Sequence, residues 1–164
     1  MTVFRELRAA DADRVLDAFV SDAAEMSRQG DMHDLASARA YVTRMLEDPD
    51  VRTLVAADDA DRLLALAAVS VDRANANGWV FYWAHPDARR RGVTSRLVRA
   101  LADRELGEGG LHRLELGYRV NNPGSGAVAR AAGFVQEGLE REKFLVNGER
   151  VDVVTAARLK TDPV

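Results

Sequence analysis

With 164 residues, 47% apolar and 30% charged, the chain has enough material for one domain, 1–164, with a buried core. It has no cysteine, so disulfides and thiolate-bound zinc are excluded, and His33, His85 and His112 form no H-x-x-H or H-x-x-x-H pair, so no metal site is expected. A net charge of −3 and pI near 5.6 argue against a nucleic-acid partner, and the charged N-terminus and lack of a long apolar run argue against a signal peptide or membrane span, so a cytoplasmic protein is expected.

In chain order, Thr2–Leu7 reads as a first strand, and Asp11 or Asp13 can cap a helix carrying Val15, Leu16, Phe19 and Val20. The periodicity fails from Ser21 to Asp34. A second helix follows over Leu35–Glu47, stopped by Asp48-Pro49-Asp50. Val51–Ala57 and Leu63–Val71 form a hairpin pattern across Asp58–Asp61, and Asn75–Gly78 turns the chain into an aromatic strand, Trp79–Ala84. Val93, Leu97 and Leu101 mark a third helix, ended by Gly107, Gly109 and Gly110. Leu111–Tyr118 is a strand. Asn121–Gly124 opens a short fourth helix in which Ser125 fits the N-cap, and Gly133 ends it. Phe134–Leu145 and Arg150–Leu159 close the chain as a hairpin over Asn147-Gly148.

This order, β-α-α-β-β-β-α-β-α-β-β, predicts an α+β fold: a mixed, mostly antiparallel seven-stranded sheet with about four helices. The stretch Trp79–Arg99 organises the rest. A strand runs into an arginine-rich turn, and Gly92 then enters a helix, so free backbone N–H groups and guanidinium groups converge where an anion can sit. Helix-dipole attraction adds about 0.3–1 kcal/mol, and Gly92 lets the backbone approach a ligand closely. These residues predict a diphosphate cradle beside the carboxyl ends of the fourth and fifth strands.

The same residues resemble the GCN5-related N-acetyltransferase (GNAT) superfamily, whose Gln/Arg-x-x-Gly-x-Gly/Ala signature falls on Arg89-Arg90-Arg91-Gly92-Val93-Thr94. Thr94 departs from the final small residue. Asn122-Pro123-Gly124-Ser125, then Val128–Phe134 and Glu137-Gly138, together with Asn147–Asp152, are similar to the RimJ/RimL-like branch that acetylates N-terminal amines of ribosomal proteins. The matches cover about residues 79–159.

The resemblance implies acetyl-coenzyme A as acetyl donor, with no metal, and a primary amine as acceptor. A protein or peptide N-terminus leads, and the transfer is direct, in a ternary complex. The diphosphate would lie on Arg89, Arg90, Arg91, Gly92, Val93, Thr94 and Ser95. Trp83 and Ala84 would bind pantetheine through their backbones, and Asn122 and Ser125 would sit near the thioester. Ala129 stands where many members carry a leaving-group tyrosine, and the ribosomal-protein branch implies instead the serine of its Asn-x-x-Ser motif, here Ser125, as the acid. The branch implies a glutamate base just before a phenylalanine of the sixth strand. Lys143 holds that place before Phe144, and Glu142, which strand parity sets on the face of Phe144, is the expected base. The superfamily often dimerises through its late strands, so a homodimer is also expected. Two other readings stand beside this one. One is an antibiotic or polyamine acetyltransferase, favoured by the acidic run Asp22, Glu25, Asp31 and Asp34. The other is a non-catalytic acyl-coenzyme A-binding module.

Overall fold

Leu63 to Val71 is apolar at nearly every position, the composition of a strand covered on both faces. In the computed structural model, which describes residues 1–163, this run lies inside a seven-stranded sheet. The strands are β1 (Val3–Arg5), β2 (Val51–Ala57), β3 (Leu63–Asp72), β4 (Asn77–Ala84), β5 (Arg113–Arg119), β6 (Val135–Val146) and β7 (Glu149–Leu159). Their order is β1-β2-β3-β4-β5-β7-β6, and every neighbouring pair is antiparallel except β4 with β5. The helices are α1 (Ala12–Ser21), α2 (Ala23–Met26), α3 (Leu35–Glu47), α4 (Val93–Leu106) and α5 (Pro123–Ala131).

The sheet separates two cores. On one face Val15 and Phe19 of α1, Met26 of α2, and Tyr41 and Val42 of α3 pack against Leu66 and Trp83. On the other, Val93, Leu97 and Leu101 of α4 and Ala129 of α5 pack against Val69, Val80, Leu114 and Leu116. The spacing of Val93, Leu97 and Leu101 is the reason α4 lies flat on the sheet, since it puts all three on one helical face. The Asn147-Gly148 turn has φ of 50° and 82°, the left-handed pair that matches the twist of a two-residue hairpin.

Three expectations change in detail. The irregular stretch after α1 contains one helical turn, α2, so the described residues hold five helices where four were expected. Neither Asp11 nor Asp13 caps α1 through its side chain. The Asp11 carboxylate is buried against Arg5, at 2.7 and 2.9 Å, and accepts the Arg8 N–H at 2.8 Å, which closes the 3-10 turn before the helix. Nor does Ser125 cap α5. That role belongs to Asn122, whose Oδ1 accepts the Ser125 N–H at 3.0 Å. Asn122 and Ser125 stand three residues apart, so both suit an N-terminus by composition.

One topological feature positions the site. The parallel pairing of β4 with β5 covers only Asn77–Trp79 against Arg113–Glu115. Beyond it β4 stays paired with β3 as far as Ala84, and β5 with β7 as far as Arg119. The two central strands therefore part, and backbone groups on their inner edges lose their sheet partners.

Candidate functional site

Along β4, the His85 N–H bonds the Leu64 carbonyl at 2.8 Å, and the β3 pairing is unbroken from Asn77 to Ala84. Alternation in an antiparallel ladder then turns the backbone groups of Trp83 to β3, and those of Tyr82 and Ala84 to the gap beside β5. This corrects the sequence expectation for Trp83. Its backbone is committed to the sheet, and its buried indole N–H donates to the Tyr41 hydroxyl at 3.2 Å. Ala84 remains at the open edge.

Past β4, His85 and Pro86 lead into a 3-10 turn, Pro86–Ala88, and then into the arginine run. The backbone is left-handed at Arg90 (φ 57°) and at Gly92 (φ 69°). Such reversals curl successive N–H groups into a concave nest suited to an anion. Gly92 is the N-cap of α4 and has no side-chain cap bond, and the Arg96 N–H bonds the Gly92 carbonyl at 3.2 Å. The N–H groups of Val93, Thr94 and Ser95 precede that first helical bond and are left without helical acceptors. A Cβ at residue 92 would lie 3.3 Å from Arg96 Nη1 under a backbone that side chains rarely adopt. The loop therefore fits a diphosphate by its own shape.

The three arginines divide the work. Arg89 pairs with Asp22 at the end of α1 and reaches the Ala84 carbonyl at 3.5 Å, so it ties the loop to the neighbouring layer. Arg91 rests on the Asp87 carbonyl at 3.4 Å, and neither Arg90 nor Arg91 has an ion-pair partner among the described residues. Val93 is buried and can offer a ligand only its N–H, whereas Thr94 and Ser95 are half-buried.

His85, which the sequence offered only as a histidine without an H-x-x-H or H-x-x-x-H partner, anchors this loop. It is buried, its Nδ1 accepts the Asp87 N–H at 3.2 Å, and its Nε2 lies 3.0 Å from Asp17 Oδ2. An Nδ1 that accepts leaves the proton on Nε2, which donates to Asp17. Arg14 pairs with both Asp17 and Asp87, which completes the tie from α1 to the loop. Partial burial works to raise the Asp17 pKa, but the hydrogen bonds from His85 and Arg14 outweigh it and hold the carboxyl below the usual range.

On the other side of the gap, Asn122 caps α5 and presents Ser125. The Tyr82 hydroxyl lies 2.7 Å from Ser125 Oγ and 3.1 Å from the Ser125 carbonyl. Burial pushes the Tyr82 pKa up to about 12, partly offset by the bond to Ser125, so the phenol stays protonated near neutrality. A Cβ at Gly126 would come within 2.9 Å of the Tyr118 ring, so glycine there lets α5 approach β5 closely. From sequence Tyr82 was only one residue of the aromatic strand Trp79–Ala84. The signal for more was its even position on β4, which sends it to the α5 side.

Glu142 is not brought to Ser125. The parity argument fails because β6 is bulged between Glu140 and Phe144, with Glu142 itself left-handed (φ 53°) and its N–H on Asp152 Oδ1 at 2.7 Å. Glu142 is exposed on the outermost strand, with β7 and β5 between it and the gap. The acidic run is also mostly engaged. Asp22 holds Arg89, Glu25 holds Arg28, and Asp34 caps α3 by accepting the Ser37 N–H at 2.7 Å.

Comparison with known proteins agrees with this geometry. A family model for the acetyltransferase (GNAT) domain matches residues 2–135. The probable N-acetyltransferase YjcK of Bacillus subtilis is 27% identical over 143 residues, 84% of this chain and 79% of its own length. The ribosomal-protein-serine acetyltransferase of Escherichia coli is 28% identical over 100 residues, 60% of this chain and 56% of its own length. Among solved structures, the ribosomal-protein-S5-alanine acetyltransferase from Vibrio fischeri superposes with a TM-score of 0.85 at 19% identity, covering 98% of this chain and 94% of that one. A spermidine N-acetyltransferase chimera from Vibrio cholerae and hSSAT gives 0.83 at 20% identity, covering 98% and 96%.

Proposed function

Because the chain belongs to the acetyltransferase (GNAT) family, whose acetyl donor is acetyl-coenzyme A, we propose that its acceptor is the N-terminal amine of a protein or peptide. The observation that carries the reading is the Tyr82–Ser125 hydroxyl pair beside the opening between β4 and β5. The name of the E. coli ribosomal-protein relative supports the choice of acceptor.

In this reading the diphosphate lies on the nest from Arg90 to Ser95, and the thioester arm follows the open edge of β4 past Ala84. The neutral amine attacks the thioester carbonyl carbon as a nitrogen–carbon bond forms. The Ala84 N–H, turned to the gap, is the donor for the developing oxyanion. When the carbon–sulfur bond breaks, the thiolate takes the Ser125 hydroxyl proton, Tyr82 passes its own proton to Ser125, and water in the cleft returns one to Tyr82. The attacking amine releases its own proton to water in the cleft. Glu142, on the far edge strand, would take it only through that water.

A polyamine acceptor would call for uncommitted carboxylates, and Asp22, Glu25 and Asp34 are already engaged. The test is competition between acceptors, read by mass spectrometry with acetyl-coenzyme A present. A peptide with a free N-terminal amine is expected to gain one acetyl group, and the same peptide with a blocked N-terminus and an internal lysine is expected to remain unmodified. Faster acetylation of spermidine than of any free-N-terminal peptide would reverse the assignment.

A further inference from the structure

Arg119 ends β5 on the lip of the opening. Leu114, Leu116 and Tyr118 face α4 and α5, so alternation turns Gly117 and Arg119 to the opposite face, that of α1, α2 and α3. A Cβ at Gly117 would lie 3.3 Å from the Trp79 ring, which places that ring on the same side. The coenzyme cradle and Ser125 belong to the α4–α5 face, so the face of Arg119 is where the acceptor enters.

Arg119 is only 8% exposed, and its Nε is buried with no hydrogen-bond partner. The described residues give its guanidinium one ionic neighbour, Glu25 of α2, at 3.7 Å, beyond hydrogen-bond length. Glu25 is half-exposed and also pairs with Arg28, so two guanidinium groups share one carboxylate. Burial, with Arg28 adding to it, pushes the Arg119 pKa down, the mark of a cation short of counter-charge. A desolvated guanidinium without partners is costly unless an anion completes it. Its planar fork matches a carboxylate in particular. The Arg119 carbonyl accepts the Asn122 N–H at 2.9 Å, so the residue is tied to the same turn that presents Ser125.

We propose that Arg119 is a specificity-determining residue of the acceptor site, which binds a carboxylate carried close to the reacting amine and displaces Glu25 in doing so. This rests on the acetyltransferase reading above and narrows its acceptor to an amine with a nearby carboxylate. Two sources share that chemistry, an acidic side chain just after a peptide N-terminus and the α-carboxylate of a free amino acid.

The test is calorimetric binding to the complex with coenzyme A, where no turnover can occur. Two probe pairs separate the sources: C-terminally amidated Ala-Glu-Ala against Ala-Gln-Ala, and alanine against alaninamide. The wild type is expected to prefer the carboxylate member of at least one pair by about tenfold to a hundredfold, as for a hydrogen-bonded charge. Arg119→Gln should bring that ratio to near one, and Arg119→Lys should keep part of it. Glu25→Gln should raise the ratio by removing the competing carboxylate. A purely structural Arg119–Glu25 bridge would make Glu25→Gln and Arg119→Gln act in the same direction, and that result would overturn the proposal. So would a wild-type ratio near one in both pairs, or no binding of either carboxylate probe. Should Arg119→Gln not fold, an unchanged ratio in Arg119→Lys would count equally against it. Coenzyme A is titrated first and the probes are repeated without it. Failure of coenzyme binding would thus count against the acetyltransferase reading, and loss of carboxylate preference against Arg119 alone.

Discussion

Gly92→Val is expected to weaken acetyl-coenzyme A binding about tenfold to a hundredfold, the equivalent of the roughly 1–3 kcal/mol held in a disfavoured backbone conformation. Residue 92 sits at φ 69°, where a β-branched side chain is strained, and its Cβ would press on Arg96. The loop is exposed, so the free protein can relieve that strain by moving residue 92 out of the left-handed region. Binding must then restore the nest against the strain. The effect should therefore appear in the dissociation constant, measured by calorimetry, and hardly in the urea midpoint. An unchanged dissociation constant would mean that the coenzyme does not use this loop.

Ser125→Ala is expected to lower kcat by about a hundredfold to ten-thousandfold, the usual contribution of a positioned acid, with acetyl-coenzyme A affinity unchanged. The structure makes this variant informative because Asn122 holds the helix cap. Alanine keeps the Ser125 N–H on Asn122 Oδ1 and loses only the hydroxyl 2.7 Å from Tyr82. A drop in thermal stability without a drop in kcat would return Ser125 to a structural role. Steady-state kinetics and a melting curve on one preparation separate the two.

What could be read from the chain was what local rules determine. The Val93, Leu97, Leu101 stripe, the Asn147-Gly148 turn and the boundaries of α3 depend on neighbours three or four residues away, and they fall where periodicity and caps put them. The arginine turn was legible for the same reason, since a strand, a glycine and a helix start are consecutive. Glu142 was misplaced because a bulge breaks the period-two rule that parity assumes. Ser125 was read both as a cap and as the acid because capping and catalysis draw on the same residue types, and the cap proves to be Asn122. Tyr82, His85 and Arg119 acquire their roles from contacts with chain 43 to 94 residues away in sequence, as the pairings with Ser125, Asp17 and Glu25 show. Sequence spacing carries no trace of such contacts.

The most direct measurement is a thermal shift of the wild-type protein with acetyl-coenzyme A, set against a matched titration of ATP, which lacks the thioester arm. At a hundredfold excess over its dissociation constant, the coenzyme should stabilise the fold by about 2.7 kcal/mol, or roughly 5–11 °C for a domain of this size. A shift of that order with the coenzyme and not with ATP is the expected result. No shift with acetyl-coenzyme A would contradict the assignment of the Arg89–Ser95 loop as its cradle.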